Sequence, residues 1–442
     1  DFCEIYSLYD EQTIREQASR CVGCPEATCV DACPLHNRIP EWMALAAEGR
    51  FLEAAEISRS TSSMPEICSR ICPQGCLCEE SCLLNVHTHA VCIGAIERFI
   101  NEYAFTHGHV DTSVAPANGF KVAIVGSGPG GIACADELAK RGYAVTVLEA
   151  SYLAGGLLVN GIPAFKLDRG VVERRLDVLR ARGVDIRVGV RLGKDVNLGG
   201  LREDYDAVFL AIGAQKHKPL GIPGAELKNV FESLPFLIES NLNAEGEAPQ
   251  LAVRGKRVVV LGGGDTAMDC LRSAIRAGAS ETVCFYRRDL ENMPGNRQEY
   301  ANAIEEGARF QFLTNPIQLL GNAAGEVARV RCIRMDLGMP DASGRRKPRS
   351  IPGSEFEEAA DVIIVAYGFD PEPIPGDNNL AQVGVNHWGG VIVDDAQMTS
   401  LPGVFAGGDI VRGPSLVVQA VRDGRRAAEG IHQYLMNQSV TI

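Results

Sequence analysis

Long apolar runs and an excess of basic charge are both missing from this chain of 442 residues. No stretch approaches the roughly eighteen apolar residues that identify a membrane-spanning helix. The 43 Lys and Arg are outnumbered by 56 Asp and Glu, and the net charge of −13 argues against nucleic-acid binding. The first residues, Asp1 to Glu4, lack both an initiator Met and the features of a signal peptide, so we expect a trimmed chain without an export signal.

Cysteine is scarce after residue 92. Only four of the fifteen cysteines lie beyond that position, whereas eleven lie within the first 92 residues. Disulfide frameworks belong to small secreted domains, so metal ligation in a reducing cytoplasm is the better interpretation. The densest run, Cys21-x2-Cys24-x4-Cys29-x3-Cys33-Pro34, is similar to that of bacterial ferredoxins, with two more residues before the third cysteine. Two [4Fe-4S] clusters need eight ligands, and the region has enough. Zinc and free thiols remain alternatives, although only Cys21 and Cys24 have the spacing of a zinc knuckle.

Helix-forming composition without β-branched runs predicts a helical region over residues 1–108, with helices over residues 11–20 and 41–58. A strand over residues 121–125 then leads into a glycine turn, a helix over 132–141, and a second strand that ends at Glu149. Glycines in such a turn let the backbone approach a pyrophosphate, and the acid accepts hydrogen bonds from a ribose. The turn residues that we expect to bind the nucleotide are Gly126, Gly128, Pro129, Gly130 and Gly131.

The same order of elements recurs as a strand over residues 256–261, a second glycine turn, a helix over 268–277 and a strand over 282–286. Where a site for NADH would have an acid, this chain has Arg287 and Arg288. Two guanidinium groups favour the 2′-phosphate of NADPH, and a solvated basic corner is the alternative. Two further strands, over residues 207–213 and 361–368, should complete the two units. The expected NADPH contacts are Gly262, Gly263, Gly264, Asp265, Thr266, Arg287, Arg288, Ala366, Tyr367 and Gly368.

FAD is the expected ligand of the first unit because a Gly-Gly pair follows Glu149 and a Gly-Gly-Asp turn lies near the C-terminus. Asp409 can bond the ribityl chain, or it can act only as a helix cap in its turn. A helix that begins near Ser415 would point its positive end at the flavin and favour the reduced ring. The further FAD contacts that we expect are Gly156, Leu157, Lys166, Gly408, Asp409, Ser415, Leu416 and Val417.

The sequence thus predicts an α/β protein with two Rossmann-like dinucleotide-binding domains, for FAD and for NADPH, preceded by an α-helical iron–sulfur domain. If the last strand belongs to the first unit, the second domain is inserted in the first. The expected boundaries are 1–115 for the helical domain with two clusters, 116–250 and 371–442 for the two parts of the FAD domain, and 251–370 for the NADPH domain. Residues 157–166 contain no cysteine and Cys270 has no near neighbour, so a redox disulfide is not the electron outlet. That leaves the cysteine-rich region.

Several longer motifs extend over almost the whole chain. They are Cys33-Pro34, Ile39-Pro40-Glu41-Trp42, Pro65-Glu66-Ile67-Cys68, Ile71-Cys72-Pro73-Gln74, GGLLVNGIPAFKL (155–167), GGGDTAMDC (262–270), YRRDLENMPG (286–295) and GDIVRGPSLVV (408–418). With them the chain resembles the small (beta) subunits of NADPH-dependent glutamate synthase. It is also similar to the N-terminal half of dihydropyrimidine dehydrogenase and to the large subunit of NADH-dependent ferredoxin:NADP oxidoreductase.

The resemblance implies two sets of cluster ligands. One [4Fe-4S] cluster would use Cys21, Cys24, Cys29 and Cys82, and the other Cys33, Cys72, Cys78 and the carboxylate of Glu97. Cys92 is an alternative fourth ligand, while Cys68 and Cys76 are spare. No catalytic side chain is implied beyond the flavin itself, which takes hydride from NADPH and passes single electrons on through the clusters.

The resemblance also implies a larger partner subunit, because this chain has neither an amidotransferase domain nor an FMN barrel. A glutamate synthase large subunit would use the electrons to reduce 2-iminoglutarate. A dihydropyrimidine-reducing, ferredoxin-linked or other dehydrogenase complex is the second hypothesis. A non-catalytic electron-transfer adaptor is the third, and the intact glycine turns and the arginine pair count against it.

Overall fold

The computed structural model describes residues 2–244, 252–340, 344–372 and 383–439. Contacts divide the chain into two compact units. The larger unit consists of Glu4–Asn160, Phe165–Gln215 and Asp370–Ile442, and the smaller unit of Asp1–Cys3, Gly161–Ala164 and Lys216–Phe369. Within the described residues, no helix is both long enough and apolar enough to cross a membrane. The finer domain boundaries given above stay a prediction.

The first part of the larger unit is helical. Its helices are α1 (Glu11–Ser19), α2 (Thr28–Asp31), α3 (Ile39–Glu48), α4 (Phe51–Thr61), α5 (Pro65–Ile71) and α6 (Ile93–Thr106), with short 3-10 turns at Gln74–Cys76 and Leu83–Val86. Apolar side chains such as Ile14, Trp42 and Ile100 form their common core and are fully buried. The single helix predicted over residues 41–58 is wrong. Gly49 ends α3 in the left-handed region, at a φ of 80°, and a new helix begins at Phe51.

A parallel sheet forms the rest of the larger unit, in the order β16-β4-β1-β2-β3. Its strands are β1 (Lys121–Val125), β2 (Ala144–Glu149), β3 (Asp185–Val188), β4 (Ala207–Leu210) and β16 (Val404–Ala406). The last strand, β16, pairs in parallel with β4, although the sheet of the smaller unit lies between them in sequence. The predicted insertion of the second dinucleotide-binding domain in the first is therefore confirmed. The helices of this part are α7 (Pro129–Lys140), α8 (Leu157–Asn160), α9 (Arg169–Ala181), α10 (Leu198–Asp204), α14 (Asp409–Arg412) and α15 (Val417–Ser439).

The smaller unit repeats the plan with a parallel sheet in the order β6-β14-β7-β8-β9. These strands are β6 (Val230–Glu232), β7 (Arg257–Leu261), β8 (Glu281–Phe285), β9 (Arg309–Gln311) and β14 (Val362–Val365), and the helices are α11 (Ser233–Ala244), α12 (Asp265–Arg276) and α13 (Arg297–Glu305). An antiparallel sheet that the sequence did not predict adds β10 (Thr314–Gly321), β11 (Val327–Pro340), β12 (Arg346–Ser350) and β13 (Phe356–Ala359). Two short strands, β5 (Lys216–His217) and β15 (Phe369–Asp370), complete the set among the described residues.

Candidate functional site: two nucleotide turns and two cysteine cavities

The first glycine turn joins β1 to α7 in the larger unit. Gly126 has a φ of 103°, and a Cβ there would collide with the carbonyl oxygen of Ala211. A Cβ on Gly131 would collide with the carbonyl oxygen of Gly126, so the helix lies directly against the turn. Gly128 caps α7, and a Cβ built on it meets no atom within 4 Å. The turn therefore offers an open, glycine-lined helix N-terminus, which suits a pyrophosphate.

Glu149 lies at the end of β2, next to this turn, and is 6% exposed. Its Oε2 accepts a hydrogen bond from the backbone N–H of Ser127 at 3.0 Å, and its Oε1 accepts one from Ser151 N–H at 2.8 Å. The hydroxyl of Ser127 also donates to Oε2 and accepts from Gly155 N–H at 2.8 Å. A carboxylate has about four acceptor positions, so a ribose hydroxyl could still bond to Glu149. Ser127 holds the acid in place, a role that no pattern in the sequence indicates.

The Gly-Gly pair after β2 and the last helix approach the same turn and its helix. A Cβ on Gly156 would lie 2.8 Å from the Cα of Gly128, and Leu157 begins α8. Helix α15 crosses α7 so closely that a Cβ on Gly424 would collide with the carbonyl oxygen of Gly130. Lys166 is half-buried in the segment before α9. The structure thus brings the Gly-Gly pair after β2 and helix α15 against the first glycine turn and its helix. The remaining predicted FAD contacts stay a prediction.

Asp409 begins α14, and its Oδ1 accepts a hydrogen bond from the backbone N–H of Ser415 at 3.2 Å. Burial raises the pKa of Asp409 to about 7. The helix expected near Ser415 begins at Val417, as α15. The turn is held by Asp423, which is fully buried and accepts hydrogen bonds from Gly408 N–H at 3.0 Å and from the Arg412 guanidinium at 2.8 Å. Asp409 therefore has the turn role, and its bond to a ribityl chain stays a prediction.

The second glycine turn joins β7 to α12 in the smaller unit. A Cβ on Gly262 would collide with the carbonyl oxygen of Ala366, which follows β14 together with Tyr367 and Gly368. A Cβ on Gly263 would lie 2.6 Å from the Tyr286 ring, whereas one on Gly264, the cap of α12, would meet nothing within 4 Å. At the start of α12, before Thr266, Asp265 accepts a hydrogen bond from Asn296 N–H at 2.7 Å.

The two arginines after β8 lie in different surroundings. Arg287 is exposed, whereas Arg288 is 6% exposed. The Nε of Arg288 donates to the backbone carbonyl of Arg346 at 2.8 Å. The N–H of Arg346 in turn donates to Asn292 Oδ1 at 2.8 Å. Arg287 is thus open to solvent, while Arg288 ties the strand end to β12. Phosphate binding by Arg287 stays a prediction.

A first cysteine cavity lies among the helices of the larger unit. It holds about 430 Å³ of space free of protein atoms, partly open to solvent. Its lining includes all four residues that the resemblance implies for the first cluster: Cys21, Cys24, Cys29 and Cys82. Burial, followed by the neighbouring Cys21 and Cys82, raises the pKa of Cys29 to about 11. A metal cluster would offset the repulsion between these thiolates, because its positive charge replaces the protons.

A second cavity shares Ile39 and Ile93 with the first and holds about 460 Å³ of space free of protein atoms, partly open to solvent. It is lined by Cys33, Cys72, Cys78 and Glu97. These are the four residues implied for the second cluster. Burial raises the pKa of Glu97 to about 7, against hydrogen bonds from Ser58 Oγ at 3.0 Å and Asn37 Nδ2 at 2.6 Å. Both of these bonds end on Oε1, so a bond to iron would fall to Oε2. Burial also raises the pKa of Cys33 to about 11.

The three cysteines outside the two implied ligand sets, Cys68, Cys76 and Cys92, differ in whether they line a cavity. Cys68 is 4% exposed and lines the second cavity, whereas neither cavity is lined by Cys76 or Cys92. Among the described residues, no three His, Cys, Asp or Glu side chains converge closely enough to hold a single metal ion. A four-iron cluster does not need that convergence, because each of its ligands binds a different iron. The donor types and the two cavities fit [4Fe-4S] clusters.

The helical region and the dinucleotide-binding region each match a known protein family. Residues 1–109 match the family described as dihydropyrimidine dehydrogenase domain II, 4Fe-4S cluster. Residues 120–424 match the pyridine nucleotide-disulphide oxidoreductase family. Residues 110–119 lie between the two matches.

Two relatives and one solved structure illustrate the range of proteins to which this chain is similar. The glutamate synthase [NADPH] small chain of Escherichia coli (strain K12) is 45% identical over 98% of this chain and 94% of its own length. The NADPH-Fe(3+) oxidoreductase subunit beta of Geobacter sulfurreducens is 38% identical over 92% of this chain and 64% of its own length. The fold is also that of Mycobacterium tuberculosis FprA in complex with NADPH, with a TM-score of 0.61 and 23% identity over 74% of this chain and 86% of that one.

Proposed function

The chain belongs to the family of NADPH-dependent glutamate synthase small chains, and from this membership we propose that it is the subunit through which electrons enter a larger enzyme. It is an oxidoreductase that binds NADPH, FAD and [4Fe-4S] clusters. We propose two clusters, one in each cysteine cavity, and hydride transfer from NADPH to FAD. The observation that carries the proposal is that each cavity gathers one of the two implied ligand sets.

The residues of the chain would divide the work as follows. The helix N-terminus at Gly128 holds the flavin pyrophosphate, with Glu149 on the ribose. In the smaller unit Gly264 gives NADPH the same kind of helix N-terminus, and Arg287 selects it by its 2′-phosphate. Flavin accepts electrons in pairs and can release them singly, which is the chemistry that it supplies when bound.

The order of the two clusters follows from their neighbours. Val418, one residue after the start of α15, lines the second cavity, and the N-terminus of α15 is the one expected to face the flavin. The lining of the first cavity includes no residue after Ile93. We therefore assign the second cavity to electron entry and the first to electron exit. The exposed side chains of Val22 (62%) and Leu83 (56%) at the first cavity give a partner an apolar contact there.

The proposed partner is the large subunit of glutamate synthase. The test is to combine the purified chain with that subunit, NADPH, 2-oxoglutarate and glutamine, and to measure glutamate. A Cys78→Ser variant is the control, since it removes a ligand of the second cavity and should abolish glutamate formation. Failure of the unaltered chain to support glutamate formation, with both cofactors bound, would contradict this partner.

A second acceptor is favoured by the relative from Geobacter sulfurreducens, which is named for NADPH-dependent reduction of Fe(3+). If NADPH oxidation is coupled to ferric iron or ferredoxin but not to the glutamate synthase large subunit, a different dehydrogenase complex is the partner. Isolation of the chain from native extract, with identification of the larger subunit that purifies with it, would distinguish the two.

A further inference from the structure

The second cavity contains a buried hydroxyl that no proposed ligand role uses. Ser62 directly follows α4, is 2% exposed and lines the cavity together with the four implied ligands. Its backbone N–H donates to the carbonyl of Ser58 at 3.2 Å, which fixes the residue at the helix end. Ser62 therefore has a defined place beside the proposed cluster.

The hydroxyl oxygen of Ser62 is buried and has no hydrogen-bond partner among the residues that the structure describes. The other polar side chains of the lining are bonded: Asn37 donates to Glu97, and Gln74 donates to the Ser69 carbonyl at 2.9 Å. The adjacent hydroxyl of Ser63 accepts a hydrogen bond from Arg425 at 3.1 Å. Leaving a buried hydroxyl without a hydrogen bond is unfavourable, because the group has lost its bonds to water, so an acceptor is expected inside the cavity.

We propose that the hydroxyl of Ser62 donates a hydrogen bond to a sulfur of the cluster in the second cavity and raises the reduction potential of that cluster. Reduction adds one negative charge, and an O–H dipole aimed at sulfur stabilises the more negative state. Hydrogen bonds to the sulfurs are among the factors that set cluster potentials. Ser62 is thus a positioning residue that tunes the proposed entry cluster, and the inference depends on the proposed cluster site.

The test uses the complete protein with its cofactors. Ser62→Ala removes the donor, and Ser62→Thr keeps a hydroxyl. Ser240→Ala is the matched control, because Ser240 is also a fully buried hydroxyl without a partner among the described residues, but it lies on α11 of the smaller unit. EPR-monitored redox titration gives the midpoint potentials of both clusters. Glu97→Gln identifies the transition that belongs to the second cavity.

We expect Ser62→Ala to keep its iron and to lower that one potential, with about a tenfold change in the one-electron equilibrium, or about 59 mV. An exchangeable proton coupled to the reduced cluster should disappear from its ENDOR spectrum. The Thr variant and the Ser240 control should match the unaltered protein. An unchanged potential in Ser62→Ala, an equal shift in Ser62→Thr, or loss of the cluster would each overturn the inference. Absence of iron from the unaltered protein would instead overturn the proposed function.

Discussion

At the scale of single residues, the neighbours Arg287 and Arg288 lie in different surroundings after β8. The sequence favoured a pair of phosphate-binding guanidinium groups. In the structure only Arg287 is exposed, whereas Arg288 is buried and bonded to the carbonyl of Arg346. Burial depends on the antiparallel sheet that packs over the strand end, and the local sequence carries no signal for it.

We expect Arg287→Ala to weaken NADPH binding by about 10- to 100-fold and NADH binding much less, because a charge-assisted hydrogen bond is worth about 1.5–3 kcal/mol. The dissociation constants of both nucleotides, measured by flavin reduction or titration, give the ratio. Lys347→Ala removes a second exposed positive charge from the same unit and serves as the control. An equal loss for NADPH and NADH in Arg287→Ala would contradict the phosphate assignment.

Glu97 is the one proposed cluster ligand that cysteine spacing could not have indicated. Its Oε1 is already bonded to Asn37 and Ser58, and it lines the cavity with three cysteines. We expect Glu97→Ala to lower the iron content from about eight to about four atoms per chain, because one of two four-iron clusters is lost. Iron analysis and EPR measure this, and Glu80→Ala, at an exposed acid nearby, is the control. Eight irons in Glu97→Ala would point to Cys68 as the ligand.

At the scale of helices, the helix that leads to Cys72 is held against the sheet-containing part of the larger unit by a buried ion pair. Glu66 on α5 and Arg175 on α9 are 0% and 3% exposed. Arg175 donates to both carboxylate oxygens of Glu66, at 2.6 and 2.9 Å. Arg175 also interacts electrostatically with Asp136 on α7, the helix that starts at the first glycine turn. The pair therefore links the helix before the proposed ligand Cys72 to the part of the larger unit that contains the first glycine turn.

Breaking the pair of Glu66 and Arg175 should lower the free energy of unfolding far more than breaking an exposed ion pair. We expect Arg175→Met to lower the free energy of unfolding by about 3–5 kcal/mol, because it leaves the Glu66 carboxylate buried without its partner. Arg50→Met breaks the exposed pair with Glu53 and should cost at most about 1 kcal/mol. Urea unfolding of both variants gives the comparison. Similar losses in the two would mean that the buried pair has no special structural role.

The helices α7 and α15 cross so closely that residue 424 on α15 has no room for a side chain. We expect Gly424→Ala to destabilise the protein by about 1–3 kcal/mol and to weaken FAD retention, because its Cβ would push the backbone of Gly130 and displace the N-terminus of α7. Gly200→Ala on α10 is the control, since its nearest contact would be Asn197 Oδ1 at an ordinary 3.6 Å. Retention of FAD after dialysis is the measurement. Full retention in Gly424→Ala would show that the crossing does not hold the site.

The central strands β1, β4, β7 and β14 of the two parallel sheets could be predicted, because each is a continuous apolar run that leads into a glycine-containing turn. The outer strands β3, β6 and β9 and the following features could not. The break at Gly49 interrupts good helix-forming composition, and glycine alone does not say that a helix ends. The antiparallel strands β10 to β13 contain charged residues such as Arg329 and Glu357, which pair across the sheet and hide the alternation. Asp423 and Ser127 were missed since their roles arise only from the packing of distant segments.

At the scale of the whole molecule, the insertion means that the larger unit is completed only by residues after the smaller unit. The motifs alone predicted an iron–sulfur, an FAD and an NADPH region in one chain. The pairing of β16 with β4 explains why the motif over residues 408–418 returns to the first sheet. The glycine turns proposed for FAD and NADPH and the residues proposed as cluster ligands lie in different parts of the sequence. The two halves of the electron path can therefore be interrupted independently.

Cys78→Ser is expected to separate hydride transfer from onward electron transfer. It removes a ligand of the second cavity and leaves both glycine turns unchanged. We expect NADPH to bleach the flavin of Cys78→Ser as fully as that of the unaltered protein, while transfer to the partner subunit falls to background. Stopped-flow absorbance measures the bleaching, and partner reduction measures the transfer. Arg287→Ala gives the opposite pattern at low NADPH, slow bleaching with normal onward transfer. Partner reduction at the normal rate by Cys78→Ser would rule out the second cavity as the route, because electrons would then leave the flavin without the cluster proposed there.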